Sequence, residues 1–282
     1  MLKLPYLNYY LTILTHDTMD NFNVTWQRPP ARPGLLWKLS SALIIGSVSV
    51  MSKITLEWLN RFKVFNREII HKAVLNRPKG QPLITVCNHV SCLDDPVMWG
   101  VLPWRMILFR SPSLRWSLAG HDICYTKNFH SLFFTLGNTV PIVRGNGVYQ
   151  QSMDYVIDRM NQRGDWIHIF PEGKINLQHE FIRLKWGVGR LVAECKNNPI
   201  IIPIWHVGMD NFLPNKTPYI PRMGQKITML VGKPLDLSEQ LNSLRSMKKT
   251  STEIRKHITD IIQDELQLLK VSAEKLHAER KS

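Results

Sequence analysis

Short apolar runs alternate with longer amphipathic stretches along most of the chain. The runs are apolar on both faces, the pattern of strands that are covered on both sides. Six runs are predicted strands: Leu83–Cys87, Arg105–Phe109, Thr139–Val143, Trp166–Phe170, Ile200–Trp205 and Ile227–Val231. Between them, Gln151–Arg163 and Ile182–Cys195 are predicted helices. This alternation predicts an α/β fold with a mostly parallel central sheet flanked by helices.

The last part of the chain has the pattern of one amphipathic helix. Thr250 and Glu253 have the spacing of an N-terminal capping box. Apolar residues then recur every three to five positions, at Ile254, Ile258, Ile261, Leu266, Leu269, Ala273 and Leu276. Because they form one stripe, we expect the helix to pack on the domain, with a membrane-surface position as the alternative.

An uncharged apolar segment precedes the predicted sheet. Leu39–Ser52 lies between Lys38 and Lys53, with Trp37 and Trp58 near its ends. As a helix it would be about 21 Å long, shorter than the roughly 30 Å hydrocarbon core of a bilayer. We therefore expect an in-plane or half-inserted anchor, with a buried core helix as the alternative. The predicted organisation is an irregular lead-in (1–34), a membrane-associating segment (35–62) and a single α/β domain (63–282).

Composition indicates a folded domain with an anionic partner. Apolar residues make up 44% and charged residues 21%, a balance typical of globular domains. The net charge of +14 favours an acidic membrane surface. Nucleic acid is disfavoured because the basic residues are scattered and no recognition motif occurs. Neither a CxxC pair nor a zinc spacing occurs, so we expect buried thiols and no metal at Cys87, Cys92, Cys124 and Cys195.

The main chemical signal is His89, just after the predicted strand Leu83–Cys87, with Asp94 five residues later. Ser91 and Asp94 have capping-box spacing, so a helix is expected to start at Ser91. Histidine can take a proton from a hydroxyl near neutral pH, and a carboxylate on its other ring nitrogen fixes the tautomer. The spacing alone is common. A capping aspartate beside a loop histidine, a Ser91 nucleophile, and a metal site that includes Asp95 are the alternatives.

Two more predicted strands end in residues that suit a glycerophosphate. Arg144 ends one strand, and arginine is the preferred bidentate partner of phosphate. Glu172, Gly173 and Lys174 follow another, where ligands of open α/β sheets bind. Glu172 could bond a hydroxyl, Gly173 would admit close approach of the backbone, and Lys174 could meet a phosphate. Each run alone could be a plain turn, but together with the histidine–aspartate pair they predict one site.

In order and spacing, these blocks resemble the glycerolipid acyltransferase family, whose motifs are N-H-x-x-x-x-D, an arginine block and F-P-E-G. A weaker fourth block is similar to Pro199–Pro203. Longer stretches resemble one branch of that family, the phospholipid–lysophospholipid transacylases that remodel cardiolipin. These stretches are Cys87–Pro96, Phe170–Asn176, Glu180–Glu194, Trp205–Met209 and Pro221–Pro234. The resemblance covers roughly residues 35–278, and Lys174-Ile175-Asn176 after the third block fits this branch.

The resemblance implies site residues, a reaction and a location. His89 and Asp94 would be the catalytic pair, and Arg144, Glu172 and Gly173 would bind the glycerophosphate part of the substrate. The implied reaction moves an acyl chain from a phospholipid such as phosphatidylcholine to monolysocardiolipin, without coenzyme A and with no cofactor. The implied location is the mitochondrial membranes, facing the intermembrane space. An oligomer is compatible with the sequence.

Two other functions stay open from the residues. An acyl-coenzyme-A-dependent lysophospholipid acyltransferase would use the same site with a different donor. A non-catalytic basic membrane-binding protein would explain the charge and the apolar segment but leave His89, Arg144 and Glu172 without purpose. His168, inside a predicted strand, and His206, at the end of another, are interpreted as structural.

Overall fold

The computed structural model describes residues 16–19, 24–109 and 114–280. The strands of this part of the chain are β1 (His16–Met19), β2 (Val24–Gln27), β3 (Arg61–Phe65), β4 (Leu83–Cys87), β5 (Trp116–Gly120), β6 (Thr139–Ile142), β7 (Trp166–Ile169), β8 (Ile200–Val207) and β9 (Lys226–Val231). The helices are α1 (Leu35–Glu57), α2 (Arg67–Leu75), α3 (Asp94–Val97), α4 (Trp104–Phe109), α5 (His121–Cys124), α6 (Asn128–Leu136), α7 (Gln151–Arg163), α8 (Gly187–Glu194), α9 (Met209–Phe212), α10 (Ser238–Ser246) and α11 (Ser251–Glu279), with a 3₁₀ turn at Met98–Val101.

Seven strands form one sheet in the order β3-β9-β8-β4-β7-β5-β6. The five strands from β8 to β6 are parallel, whereas β9 runs antiparallel to β8 and parallel to β3. The predicted, mostly parallel α/β sheet is therefore confirmed. Because β3 and β9 run the opposite way, their first residues lie at the edge where β4, β7 and β8 end.

Helices cover both faces of the sheet. Ile84 and Val86 of β4 face a core that includes residues of α7, α8 and α11. Leu83 and Cys87 of the same strand face a second core with residues of α1, α2 and the 3₁₀ turn. This two-sided burial explains why the strands are apolar throughout.

One predicted strand is wrong, and two strands of the seven-stranded sheet were not predicted. Arg105–Phe109 lies in helix α4, which begins directly after Pro103. The strand in this part of the sheet is instead Trp116–Gly120, which pairs with β6 and β7. Arg61–Phe65 is the other unpredicted strand, at the sheet edge beside β9.

One of the predicted helices is shorter than expected, and another begins where predicted. The helix expected over Ile182–Cys195 occupies only Gly187–Glu194. Backbone N–H groups before it serve other bonds: Leu184 N donates to Gln263 Oε1 at 3.0 Å, and Lys185 N donates to the carbonyl of Pro171 at 2.7 Å. By contrast, the capping box at Thr250 is complete, which confirms the start of the C-terminal helix.

The apolar segment forms a longer helix than predicted. α1 has 23 residues, and by length and composition it could cross a membrane. Lys53, expected to mark its polar end, is buried against the domain, where its Nζ donates to the carbonyls of Gly100 (3.0 Å) and Leu102 (2.9 Å). One side of α1 thus packs on the α/β domain.

The lead-in that was predicted to be irregular contains a two-stranded antiparallel sheet, β1 with β2. Its remaining part at positions 1–15 and 20–23 lies outside the described residues. Trp26 of β2 is fully buried and meets Tyr155 edge-to-face at 5.3 Å, which ties this sheet to the core.

Candidate active site

His89 lies in the short connection between β4 and α3, at the carboxyl edge of the parallel strands. Its Nδ1 is 2.9 Å from Oδ2 of Asp94, so the predicted pair is formed. The His89 ring stacks on Phe170, with ring centroids 4.2 Å apart. Its other nitrogen, Nε2, has no hydrogen-bond partner among the described residues, and the side chain is 18% exposed. The ring is thus fixed on one side and open on the other.

Asp94 is fully buried and is held by backbone donors. Oδ2 accepts from the N–H groups of Val90 (2.7 Å) and Ser91 (2.9 Å) as well as from His89. The bond from Ser91 N is half of the predicted capping box. The other half is missing because the N–H of Asp94 donates to the backbone carbonyl of Ser91 at 3.1 Å and not to its hydroxyl, and the helix begins at Asp94, not at Ser91.

Two of the alternatives raised by the sequence are not supported by the side chains. Ser91 is fully buried with its hydroxyl engaged, so it is not placed as a nucleophile. Asp95 pairs with Arg115 and accepts from Trp99 Nε1 at 2.9 Å. Burial opposes ionisation of Asp95, but Arg115 and the other groups around the carboxylate together outweigh burial, and the pKa of Asp95 is lowered. The Asp95 carboxylate is therefore engaged in this ion pair and does not offer a metal ligand beside His89.

Glu172 connects the end of β7 to His89. Its Oε1 accepts from the backbone N–H of His89 at 3.1 Å, while the carbonyl of His89 accepts from Asn176 N at 2.7 Å. Burial raises the pKa of Glu172, opposed by its bond from the His89 backbone. Its other oxygen, Oε2, is buried without a partner among the described residues. One acceptor of Glu172 thus shapes the histidine loop and the other is unused.

Gly173 and Lys174 form the turn that follows. Gly173 has φ +72°, a left-handed conformation that favours glycine, and a Cβ there would lie 3.2 Å from Cγ of Lys185. Lys174 is exposed and makes no ion pair in the described part of the chain. Lys185, which the sequence reasoning did not single out, thus brings a second exposed cation to this turn.

Arg144 reaches the same turn from the end of β6, as predicted. Its Nε donates to the carbonyl of Gly173 at 3.0 Å. Its Nη1 donates to both carboxylate oxygens of Asp122, at 2.7 and 2.6 Å. The guanidinium is thus near the predicted phosphate position but already pairs with an acid that the sequence reasoning missed.

His206, interpreted from the sequence as structural, also lies beside Asp94. It is buried at the end of β8, and its Nε2 lies 3.5 Å from Oδ1 of Asp94. Burial lowers the pKa of His206, opposed by the negative charge of Asp94. The only sequence signal was its position, since a residue at the end of β8 shares the edge where β4 ends. His168 is also buried, but it bonds Thr85 at 2.9 Å.

Comparison with known proteins agrees with this geometry. The family model described as Acyltransferase matches residues 62–207, from β3 to the end of β8. Among solved structures, the 1-acyl-sn-glycerophosphate acyltransferase PlsC from Thermotoga maritima superposes with a TM-score of 0.54. It is 17% identical and covers 88% of this chain and 97% of its own, so it supports the fold alone. A histidine–aspartate pair on this fold, within this family match, defines an acyltransferase.

More similar sequences narrow the family. The tafazzin of Drosophila melanogaster is 45% identical over 260 residues, which are 92% of this chain and 68% of that protein. The N-acylphosphatidylethanolamine synthase of Arabidopsis thaliana is 35% identical over 241 residues, 83% of this chain and 82% of that protein. The chain belongs to the tafazzin family, a branch of the glycerolipid acyltransferases. The resemblance drawn from the sequence motifs is thereby confirmed.

Proposed function

We propose that the chain transfers an acyl group from a phospholipid to a lysophospholipid, with His89 as the general base. The observation that carries the proposal is the His89 ring, whose Nδ1 is held 2.9 Å from Asp94 while Nε2 stays open. A catalytic base needs this arrangement, in which one nitrogen is oriented and the other can reach the substrate.

The reaction exchanges one ester for another. Nε2 of His89 takes the proton of a free hydroxyl on the lysophospholipid, and that oxygen attacks the carbonyl carbon of an acyl ester in the donor. When the tetrahedral intermediate collapses, the bond to the donor's glycerol oxygen breaks and His89 returns the proton to that oxygen. Asp94 stabilises the imidazolium in between. Base catalysis of this kind contributes about 10²–10⁴ in rate.

The donor and acceptor follow from the branch of the family. We infer a phospholipid such as phosphatidylcholine as donor and monolysocardiolipin as acceptor, with no coenzyme A, so that the enzyme remodels cardiolipin. The same branch supports mitochondrial membranes as the location, with the site facing the intermembrane space. The net charge of +14 suits the anionic surface of such a membrane.

The glycerophosphate part of the substrate would meet four residues around the turn after β7. Oε2 of Glu172 is a free acceptor for a hydroxyl. The backbone of Gly173 permits close approach, and Lys174 offers an unpaired ammonium. Arg144 keeps Nη2 free while Nη1 and Nε are engaged.

Helix α1 would hold the domain in the membrane interface. Its exposed side carries large apolar residues: Leu35, Leu36, Leu39, Leu43 and Met51. Its buried side carries Ser41, Ser49, Ser52 and Lys53 beside Ile45 and Leu56. A soluble helix has the reverse arrangement, with its apolar side inward. An apolar outer face is stable when lipid covers it, which supports an in-plane or half-inserted anchor.

A transfer assay with purified protein tests the proposal. Vesicles of phosphatidylcholine with labelled acyl chains and monolysocardiolipin are incubated without coenzyme A, and labelled cardiolipin is measured. We expect transfer by the wild type and a loss of at least about 100-fold in His89→Ala with membrane binding retained. Full activity of His89→Ala would show that His89 is not the base.

Other acyl donors and acceptors are arms of the same assay. An absolute requirement for acyl-coenzyme A would show that the donor is acyl-coenzyme A and not a phospholipid. The similarity to an N-acylphosphatidylethanolamine synthase makes the amine of phosphatidylethanolamine a second acceptor to include. Vesicle binding without transfer from any donor would favour a non-catalytic membrane protein.

A further inference from the structure

Two histidines flank the carboxylate of Asp94. Oδ2 takes the bond from His89, whereas Oδ1 faces Nε2 of His206 at 3.5 Å. The Asp94 and His206 side chains are both fully buried. Among the described residues, neither Oδ1 nor either ring nitrogen of His206 has a hydrogen-bond partner. A buried acceptor and a buried donor, each otherwise unpaired, therefore face each other across a gap that a small shift closes.

Asn88 holds His206 in this place. Nδ2 of Asn88 donates to the carbonyl of His206 at 3.0 Å, and Oδ1 accepts from the His206 N–H at 2.9 Å. Asn88 is itself buried and directly precedes His89. The end of β8 is thus clamped to the histidine loop by two bonds, and the His206 ring has a defined position behind Asp94.

Burial, more than the charges around it, favours the neutral form of the His206 ring. Asp94 on α3 and Asp210 on α9 favour its protonated form, while His89 and, above all, burial oppose it. Glu172 and the α11 side chains of Lys270 and Glu274 line the same small cavity of about 30 Å³. A neutral imidazole carries one N–H, and Nε2 is the nitrogen that faces an acceptor.

We propose that His206 is a positioning residue whose Nε2–H donates to Oδ1 of Asp94. The inference rests on the proposed roles of His89 and Asp94 and adds a third member behind them. With both carboxylate oxygens bonded, Asp94 cannot rotate away from His89. It also remains a well-stabilised anion while His89 carries the substrate proton.

The test compares three variants of the full chain. His206→Leu removes the donor, His206→Gln keeps an amide N–H that reaches about as far as Nε2, and His206→Asn keeps a polar group that is too short. His71→Leu is the matched control, since it removes a half-buried histidine of α2 that bonds the carbonyl of Val101 and none of the proposed site residues. The readouts are kcat and KM for transfer and the NMR chemical shifts of the His89 ring.

We expect His206→Leu and His206→Asn to lower kcat by about tenfold, the scale of one lost bond to a charged group, with KM changed less than about twofold. In both variants the NMR chemical shifts of the His89 ring should change, because an Asp94 anion without its second donor acts more strongly on His89. His206→Gln should restore kcat and the chemical shifts. The His71 control should match the wild type.

Two results would overturn the inference. In one, His206→Asn has the turnover and the His89 chemical shifts of the wild type. In the other, His206→Gln fails as fully as His206→Asn while both remain folded, which points to packing of the ring alone. The His89 chemical shifts need no turnover, so they still test the contact if His89→Ala proves active and the proposed function fails. If His206→Leu does not fold, the comparison of Gln with Asn decides.

Discussion

The Arg144 side chain, a predicted phosphate ligand, follows the end of β6 and donates from Nε to the carbonyl of Gly173. Asp122 already accepts two bonds from its Nη1, however, and both partners are roughly half exposed. An anionic substrate must therefore share Arg144 with Asp122 or displace it.

Replacing Asp122 by asparagine should make the site bind an anionic acceptor more tightly. The amide keeps the shape of the side chain but removes the competing charge. An exposed ion pair contributes about 0.2–1 kcal/mol, so KM for monolysocardiolipin should fall by up to about fivefold. The measurement is KM in mixed micelles at low and high salt, with the gain shrinking as salt rises.

Asp154 provides the control for this substitution. It is an exposed acid on α7 that pairs with Arg190, and Asp154→Asn should leave KM unchanged. A higher KM in Asp122→Asn would mean that Asp122 orients Arg144 and does not compete for it.

At this scale the sequence predicts residues that lie close together along the chain or at strand ends. The His89–Asp94 pair follows from a strand end and a nearby turn. His206 is separated from Asp94 by 112 positions, and its role depends on which strand lies beside β4. That neighbour is set by the order of the sheet, which no local pattern encodes.

Three serines of helix α1, Ser41, Ser49 and Ser52, face the protein, and four of its five leucines face outward. Ser52 packs so closely on the 3₁₀ turn that a Cβ at Gly100 would lie 2.7 Å from its carbonyl oxygen. The small residues on the buried side of α1 thus suit a close contact with the domain. The apolar exposed side is open to the surroundings. The side that faces outward is the one expected to meet lipid.

Charged residues on the outer side of α1 should release the protein from membranes. Leu39 and Leu43 are 58% and 73% exposed, so Leu39→Asp with Leu43→Asp leaves the domain contact intact. Each buried leucine contributes about 1.5–3 kcal/mol, so binding to cardiolipin-containing vesicles should weaken at least about tenfold. Sedimentation with the vesicles measures the bound fraction.

The matched control changes two equally exposed apolar residues of α11, in the variant Leu268→Asp with Val271→Asp. It should bind vesicles like the wild type. Equal loss of binding in both double variants would contradict a specific role for α1.

Among the elements, the errors of prediction have local causes. Arg105–Phe109 and Trp116–Gly120 are both short, and an apolar run of five residues fits a helix or a strand by pattern alone. Pro103, placed where a helix can start, was the available signal for α4. Residues 182–186 fit a helix by pattern, but the N–H of Leu184 bonds to Gln263 and the N–H of Lys185 bonds to Pro171. Bonds to distant partners are invisible in a local window.

For the molecule as a whole, buried neutral histidines make stability depend on pH. Burial lowers the pKa of His168 from 6.5 to about 3, although Asp95 opposes the shift. Between these two values the unfolded chain binds a proton that the folded chain does not. The free energy of unfolding therefore falls as the pH drops below 6.5, by up to about 1.4 kcal/mol per pH unit from this residue.

His168→Gln should flatten that dependence. Urea unfolding at pH 7 and pH 5 should show a smaller loss of stability in the variant than in the wild type, by up to about 2 kcal/mol. His257→Gln, which removes an exposed histidine of α11, should keep the wild-type loss. An unchanged loss in His168→Gln would mean that this histidine does not cause the acid sensitivity.

The reversed strand β3 has a consequence for how the enzyme meets its substrates. The chain leaves α1 at Glu57 and enters β3 at Arg61, at the same sheet edge as His89, and α1 packs against α3, which carries Asp94. With α1 in one leaflet, donor and acceptor would both come from that leaflet by lateral diffusion. The turnover rate would then follow the mole fraction of each lipid in the plane of the membrane, not its concentration in bulk solution.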